Sequence, residues 1–302
     1  MSKEKKGKRL LLQNDLSPGD VLMLTVAIRD LHKTFPEQFI TGLETSCDWL
    51  FENNPYITPM KKGEEHVYIR CEYSSIHRSG WRGTHFCEGF VRFLSRTLKR
   101  KIHLSSMLPD LHLSEEEKSW TNQVEEQLGY RGKFWLINAG VKTNDYSLKR
   151  YHRYQEVVDA LKGEVQFVQI GATDAQHDHP PLENVLSLVG KTDGRQLVRL
   201  MSVAEGCVTG VSFPMHLAAA FQKPCVVVAG GREPIRWEMY PNHAYHATNG
   251  MLACCAYDGC WKNKPPDCEN MAGNVPRCMA MIPPEAIAQS VRNYYLGGLL
   301  CH

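Results

Sequence analysis

Hydrophobic and polar positions alternate along the chain in two repeating patterns. Short continuous apolar runs, such as 10–12 and 226–228, are typical of strands covered by helices on both faces. Between these runs, apolar side chains recur every three or four residues, which is the spacing of an amphipathic helix. The first pair of patterns predicts a strand over 9–13 and a helix over 20–34. The alternation indicates an α/β fold built on mainly parallel sheets.

The same alternation continues to the end of the chain and changes character once. Segment 104–130 carries Pro109 and a serine followed by three glutamates, which favours a helix start. We interpret it as the passage from an N-terminal domain over 1–130 to a C-terminal domain over 131–302. The second domain is expected to hold a cysteine-rich insert over 251–280 and a C-terminal helix. Further strands are expected over 67–73, 134–139, 165–171, 207–211 and 225–229, with a helix over 85–99.

Composition excludes fewer classes of protein than the hydrophobic pattern does. The 302 residues carry a net charge of +2, with 23% charged residues, which is ordinary for a globular protein and argues against nucleic-acid binding. The apolar run 10–12 is too short for a signal peptide or a membrane span. We therefore expect a cytoplasmic protein without a transmembrane segment, with peripheral membrane contact left open. In that reducing compartment the eleven cysteines are expected as thiols or metal ligands.

An acidic residue follows the first predicted strand. The loop 17–20 reads Ser-Pro-Gly-Asp, and Gly19 lets the backbone turn tightly before the helix. Asp20 then places a carboxylate near the carboxyl end of the strand, where it could take a proton from an attacking hydroxyl. The alternative is that Asp20 only caps the helix, whose dipole would also weaken it as a base.

A second loop leads from a strand into a helix around Ser212. This serine is a good N-cap, Pro214 suits the first turn, and the alanines over 218–220 favour helix. The start of such a helix presents backbone N–H groups to a phosphate. The alternative is an ordinary strand-to-helix turn in which His216 is satisfied inside the first turn.

Five cysteines fall within 254–278, in a segment rich in glycine, proline and asparagine. Because the segment has few apolar residues to fix its shape, we predict four thiolates around a structural Zn²⁺ or Fe ion. The predicted ligands are Cys255, Cys260, Cys268 and Cys278, with Cys254 as a substitute. The spacing lacks the paired CxxC knuckles of a zinc ribbon, so free buried thiols, or disulfides in an oxidising compartment, are the alternatives.

A polar and aromatic stretch follows the strand predicted near 67–73. Its residues His77, Arg78, Trp81 and His85 would suit contacts with a sugar or a phosphate of an acceptor. An exposed loop without a ligand explains the same composition.

Four motifs, taken in order, resemble glycosyltransferase family 9, which includes the ADP-heptose-dependent heptosyltransferases of lipopolysaccharide core synthesis. They are Ser-Pro-Gly-Asp-Val-Leu at 17–22, Leu-Val-Gly-Lys-Thr at 188–192, Pro-Met-His-Leu-Ala-Ala-Ala at 214–220 and Gly-Gly-Arg-Glu-Pro at 230–234. Each motif is weak alone, and their order over most of the chain carries the resemblance.

The resemblance implies a GT-B fold, with two Rossmann-like domains facing a central cleft, and an inverting transfer without a catalytic metal. Asp20 takes the position of the family's general base. The positions implied for the donor are Lys149 for a phosphate, Gly171 for the nucleotide, and Ser212, Phe213, Pro214, Met215 and His216 for the pyrophosphate. The implied partners are a nucleotide-diphosphate sugar, ADP-linked and carrying heptose or hexose, and a glycan, lipid-linked or protein acceptor.

Two further features of the family bear on this sequence. The family usually has Asn-Asp-Ser-Gly before Pro-Met-His, whereas 210–213 reads Gly-Val-Ser-Phe here. Val211 thus replaces the acidic residue expected on donor hydroxyls, which questions ADP-heptose as the donor but leaves backbone N–H groups for a phosphate. Heptosyltransferases near this family that modify autotransporter proteins carry a cysteine-bound iron, which favours a structural metal and a protein acceptor.

Three other function classes are alternatives. Val211 and Phe213 also suit an inactive module that binds a nucleotide sugar without transferring it. A nucleotide-dependent oxidoreductase would share the Rossmann-like halves, but the first loop lacks the GxGxxG fingerprint. A zinc-ribbon nucleic-acid binder is disfavoured by the near-neutral charge.

Overall fold

The computed structural model describes residues 7–61, 63–73, 83–143, 147–256, 259–260 and 268–295. The chain divides into two compact units, 1–119 and 120–302. The division falls inside the segment 104–130 that the sequence marks as the passage between domains. Three of the residues predicted to contact an acceptor, His77, Arg78 and Trp81, lie outside the described residues.

The first unit is built on a parallel sheet. In chain order its elements are β1 (Lys8–Asn14), α1 (Pro18–Thr34), β2 (Phe39–Thr45), a 3₁₀ turn (Asp48–Phe51), β3 (Val67–Arg70), α2 (Phe86–Leu98) and α3 (Glu115–Ser119). The described strands are arranged β2–β1–β3, so β1 lies in the middle. Leu12 of β1, which is 0% exposed, is level with Leu43 of β2 and Ile69 of β3. The apolar run of β1 is therefore core, as its pattern predicts.

A buried ion pair fastens the irregular end of the first unit to α1. The Arg29 Nε lies 2.9 Å from an Asp30 carboxylate oxygen, and both side chains are buried. Arg29 also donates to the carbonyls of Ser106 and Leu108, each at 2.6 Å. Asp30 accepts from the backbone and the hydroxyl of Ser105. Polar bonds rather than a regular element thus hold segment 104–110 in place.

The second unit is built on a larger parallel sheet. Its sheet strands are β4 (Trp135–Asn138), β6 (Phe167–Gln169), β8 (Leu186–Ser187), β9 (Gly206–Gly210), β10 (Cys225–Gly230) and β11 (His243–Ala247). Around them lie α4 (Gln123–Leu128), α5 (Tyr154–Ala160), α6 (Gly194–Val203), α7 (Phe213–Ala220), α8 (Arg277–Ala280) and the C-terminal α9 (Pro284–Tyr295). Two short antiparallel pairs are β5 (Val141–Lys142) with β7 (His177–Asp178), and β12 (Met271–Ala272) with β13 (Val275–Pro276).

The order of the described strands in this sheet is β11–β10–β9–β4–β6–β8, so the direction of winding reverses at β4. Ligands of open parallel sheets bind outside the carboxyl ends of the strands at such a reversal. The ends of β4 and β9 therefore mark the place in this unit where a ligand is expected. At the opposite, amino end of the same two strands the packing is close, because a Cβ on Gly206 would lie 2.7 Å from the buried Trp135 ring. None of the described helices is long and apolar enough to cross a membrane.

Candidate active site

Three polar side chains join the carboxyl ends of β4 and β9. Asn138, the last residue of β4, donates from Nδ2 to the Ser212 hydroxyl oxygen at 3.3 Å. The Thr209 hydroxyl lies 3.0 Å from the same oxygen. The other amide atom of Asn138, Oδ1, accepts from the N–H of Gly140 at 3.2 Å, which fixes the orientation of the amide. These bonds hold Ser212 at the strand reversal.

Helix α7 begins directly after Ser212, as the sequence predicts. The Ser212 backbone is extended, and its side chain bonds to the strand ends instead of capping the helix. Pro214 and Met215 are buried, whereas Phe213 is partly exposed. A ligand at this turn would therefore meet the backbone, the Ser212 hydroxyl and the Phe213 ring rather than the side chains that follow.

The side chain of His216 belongs to the interior of the second unit. Its Nδ1 lies 2.8 Å from the Tyr240 hydroxyl, and its Nε2 lies 3.4 Å from a Glu238 carboxylate oxygen. The ring is 4% exposed, and Glu238 and Tyr240 are also buried. Of the two sequence interpretations, the geometry matches a histidine satisfied by protein partners. Any donor contact from this position would come from the backbone.

Lys149 reaches from a 3₁₀ turn (Ser147–Lys149) to the loop after β10. Its Nζ lies 2.6 Å from Glu233 Oε1, with the two side chains 15% and 9% exposed. Burial raises the pKa of Glu233, and the Lys149 ammonium opposes that rise. Because the ammonium already has a carboxylate partner, a phosphate bound by Lys149 would compete with Glu233 for it.

Gly171 lies beside a histidine that the sequence motifs do not include. The His179 imidazole fills the space in front of Gly140, which follows β4, and of Gly171, which follows β6. A Cβ on these two glycines would lie 2.0 and 2.1 Å from His179 Nδ1. Burial lowers the pKa of His179, and the neighbouring His177 lowers it further. The ring is therefore a neutral, planar group packed against two strand ends.

Asp20 lies in the first turn of α1, in the first unit. The helix begins at Pro18, two residues before the predicted start, and Ser17 occupies the N-cap position. Asp20 is thus not the N-cap. One of its carboxylate oxygens accepts a 2.7 Å hydrogen bond from the Tyr73 hydroxyl.

His85, the described member of the predicted acceptor contacts, has a structural task. It occupies the N-cap position of α2, where its Nδ1 accepts from the N–H of Cys87 at 3.2 Å. The side chain is buried, at 6% exposure. This geometry supports helix capping more directly than acceptor contact.

The cysteines within 254–278 are thiols in this structure, like all the cysteines that it describes. The Cys255 thiol is buried and lies 3.4 Å from the Thr248 carbonyl, to which it donates. Burial raises the pKa of Cys260 to about 11 and also raises the pKa of Cys278. Without a bound metal ion, these shifts favour the protonated thiols.

The predicted metal site is not formed in this geometry. All of its ligands are among the described residues, and in that part of the chain no group of three or more His, Cys, Asp or Glu side chains is placed to hold a metal ion. The predicted ligands Cys255, Cys260, Cys268 and Cys278, with Cys254 as substitute, lie within electrostatic reach of one another, but they do not form a ligand set. The physical reason is local, because Cys255 and Cys268 bond to backbone carbonyls instead.

Comparisons with known proteins agree with this architecture. The model of glycosyltransferase family 9 (heptosyltransferase) matches residues 63–258, whereas no curated protein matches the sequence. A family 9 glycosyltransferase from Veillonella parvula gives a TM-score of 0.69 at 14% identity, over 98% of this chain and 99% of that chain. ADP-heptose lipopolysaccharide heptosyltransferase II from E. coli gives a TM-score of 0.64 at 15% identity, over 96% of this chain and 99% of that chain. The iron-containing dodecameric glycosyltransferase TibC from enterotoxigenic E. coli H10407 gives a TM-score of 0.70 at 16% identity, over 98% of this chain and 78% of that chain.

These structural likenesses confirm the predicted fold, in which Rossmann-like α/β units form a protein of the GT-B class. The family match also removes the oxidoreductase and zinc-ribbon alternatives. Because the family model covers well over half of the residues, the chain belongs to glycosyltransferase family 9.

Proposed function

We propose that this protein is an inverting glycosyltransferase that moves heptose or hexose from an ADP-linked donor to an acceptor hydroxyl. The observation that carries the proposal is the hydrogen-bonded group at the strand reversal, where Asn138 and Thr209 hold Ser212 at the start of α7. Two related structures support the donor class: TibC has been solved with ADP-D-β-D-heptose, and the E. coli heptosyltransferase WaaC with ADP.

The diphosphate of the donor is assigned to the start of α7. The Ser212 hydroxyl and backbone N–H groups at a helix N-terminus suit phosphate oxygens. Lys149 would supply positive charge to the departing diphosphate, once the donor draws its ammonium away from Glu233. Gly171 and the His179 ring are assigned to the nucleotide. Residues 210–213 carry no carboxylate, so other groups must recognise the hydroxyls of the sugar.

The base is assigned to Asp20. The acceptor oxygen bonds to the anomeric carbon while its proton passes to the Asp20 carboxylate. The bond from that carbon to the phosphate oxygen breaks, and ADP leaves with the electron pair. Attack opposite the leaving group inverts the anomeric configuration, and no metal ion takes part in these steps. A glycan, a lipid-linked sugar or a protein would serve as acceptor, with His77, Arg78 and Trp81 as its proposed contacts.

Hydrolysis of ADP-heptose tests the proposal, because water can replace the acceptor hydroxyl. Asp20→Asn should lower ADP release at least about 100-fold while ADP binds as before. Asp15→Asn changes an exposed carboxylate in the same loop and should leave the rate unaltered. Equal rates for wild type and Asp20→Asn would reject Asp20 as the base. If the wild type binds ADP tightly but forms no ADP from ADP-heptose, the result would favour the inactive nucleotide-sugar module, which Val211 also suits.

A structural metal and a cytoplasmic location remain predictions. TibC is described as iron-containing, but the described thiols of this chain are not arranged for a metal. Elemental analysis of protein prepared without chelator tests the metal, and a content well below one Zn or Fe per chain would remove it. Fractionation of cells that express the tagged chain tests the location and any peripheral membrane contact.

A further inference from the structure

Tyr73 follows β3 and carries its hydroxyl to the first turn of α1. The O–H donates to Asp20 Oδ1 at 2.7 Å, across 53 positions of sequence. Strand pairing places the residue, since the N–H of Cys71 continues the β1–β3 ladder by donating to the Gln13 carbonyl at 2.7 Å. The bond therefore joins the chain that leaves β3 to the helix that follows the neighbouring parallel strand β1.

Aromatic packing fixes the Tyr73 ring. Its centroid lies 4.7 Å from that of Phe86 and 5.0 Å from that of Phe90, both on α2. Tyr73 is 8% exposed and Phe90 is 0% exposed. A ring wedged in this way has little rotational freedom, so its hydroxyl is a rigid donor. Such a donor holds one orientation of the carboxylate that it bonds.

We propose that Tyr73 is the positioning residue for Asp20, and that it sets both the orientation and the basicity of this carboxylate. The inference rests on the proposed function, in which Asp20 accepts the acceptor proton. An O–H donated to a carboxylate stabilises the ionised form, so it lowers the affinity of Asp20 for a proton. The same bond keeps the carboxylate aligned, and small misplacements of a catalytic group cost large factors in rate. The Tyr73 hydroxyl thus makes Asp20 a somewhat weaker base but keeps its carboxylate aligned.

Tyr73→Phe is the test, because it removes the oxygen and keeps the ring that packs on α2. In ADP-heptose hydrolysis, the variant should lose at least about tenfold in kcat, with KM for the donor unchanged. The acid limb of its rate profile should move to higher pH, because the carboxylate loses a donor. Tyr68→Phe is the matched control, since Tyr68 lies on β3 and is 52% exposed. It should behave as wild type.

A titration that needs no substrate separates this inference from the proposed function. The Asp20 Cγ resonance of full-length, ¹³C-aspartate-labelled protein, assigned with Asp20→Asn, reports its protonation directly. Tyr73→Phe should raise the measured pKa of Asp20 by roughly one unit over wild type and Tyr68→Phe. An unchanged pKa together with an unchanged rate profile would overturn the inference. If Tyr73→Phe raises the pKa of Asp20 but the wild type forms no ADP from ADP-heptose, the inference about Tyr73 would stand and the proposed function would be rejected.

Discussion

Replacing Lys149 by methionine removes the positive half of a buried ion pair. The ammonium lies 2.6 Å from Glu233, with side chains 15% and 9% exposed, so bulk water screens the pair weakly. Breaking a buried pair from one side leaves an uncompensated charge, which costs about 3–5 kcal/mol of unfolding free energy. We expect a loss of that size at pH 8.

The loss should shrink at lower pH. Burial already raises the pKa of Glu233, and removal of Lys149 takes away the main charge that opposes this rise. A raised folded-state pKa means that the folded protein binds more protons than the unfolded chain between the two pKa values. The protonated Glu233 therefore stabilises the fold fully below the pKa of an ordinary carboxyl group, and this stabilisation is lost as pH rises through the folded-state pKa. The loss amounts to about 1.4 kcal/mol for each pH unit that separates the unfolded and folded pKa values. Lys149→Met should approach wild type near pH 5.

Urea unfolding at pH 5 and pH 8, followed by tryptophan fluorescence, measures both effects. Lys133→Met is the matched control, because its ion pair with Glu205 is 3.4 Å long and far more exposed, at 72% and 41%. It should cost about 0–1 kcal/mol at either pH. Adding Glu233→Gln to Lys149→Met should recover much of the lost stability. The reasoning would be refuted if the two lysine variants lost equal unfolding free energy, or if the loss in Lys149→Met were the same at pH 5 and pH 8.

Three further predictions follow from single contacts. Gly171→Ala places a Cβ 2.1 Å from the His179 ring, so it should cost about 1–3 kcal/mol of unfolding free energy measured in urea. Adding His179→Ala should relieve this cost. A Gly171→Ala variant as stable as wild type would contradict the packing. Burial lowers the pKa of His243 to about 3, so the folded state binds fewer protons than the unfolded chain. Between pH 6.5 and about 3, stability should fall by about 1.4 kcal/mol for each pH unit, and His243→Phe should flatten that slope in urea titrations. Ser212→Ala should weaken ADP about tenfold by calorimetry, and undiminished affinity would remove Ser212 from the donor site.

Local sequence signals predicted the regular elements but not the partners of their side chains. The apolar run of β1 and the cap-proline pattern before α7 are short-range signals, and both elements form where the sequence places them. The bond from Asn138 to Ser212 joins residues 74 positions apart, and that from Lys149 to Glu233 joins residues 84 apart. Sequence pattern carries no distance between such positions, because the strand order that brings them together is a property of the whole sheet.

The same limit explains the residues whose roles the structure changed. Asp20 could have capped α1 or faced a ligand, and the chain that returns at Tyr73 supplies a hydrogen-bond partner that the sequence does not reveal. The clustering of cysteines within 254–278, in a segment with few apolar residues, suggested a ligand set, yet the Cys255 and Cys268 thiols donate to nearby backbone carbonyls. Asn138 could have been noticed in advance, because it is a polar residue directly after an apolar strand, where binding groups of parallel sheets occur.

Hydrogen-exchange mass spectrometry with and without ADP tests most directly that the diphosphate binds at the strand reversal of the second unit. Backbone N–H groups that donate to a phosphate exchange more slowly when the ligand is bound. The account predicts ADP-dependent protection in peptides that contain 206–217 and 138–150, and loss of the protection over 206–217 in Ser212→Ala. Protection confined to other segments, with these two unchanged at saturating ADP, would contradict it.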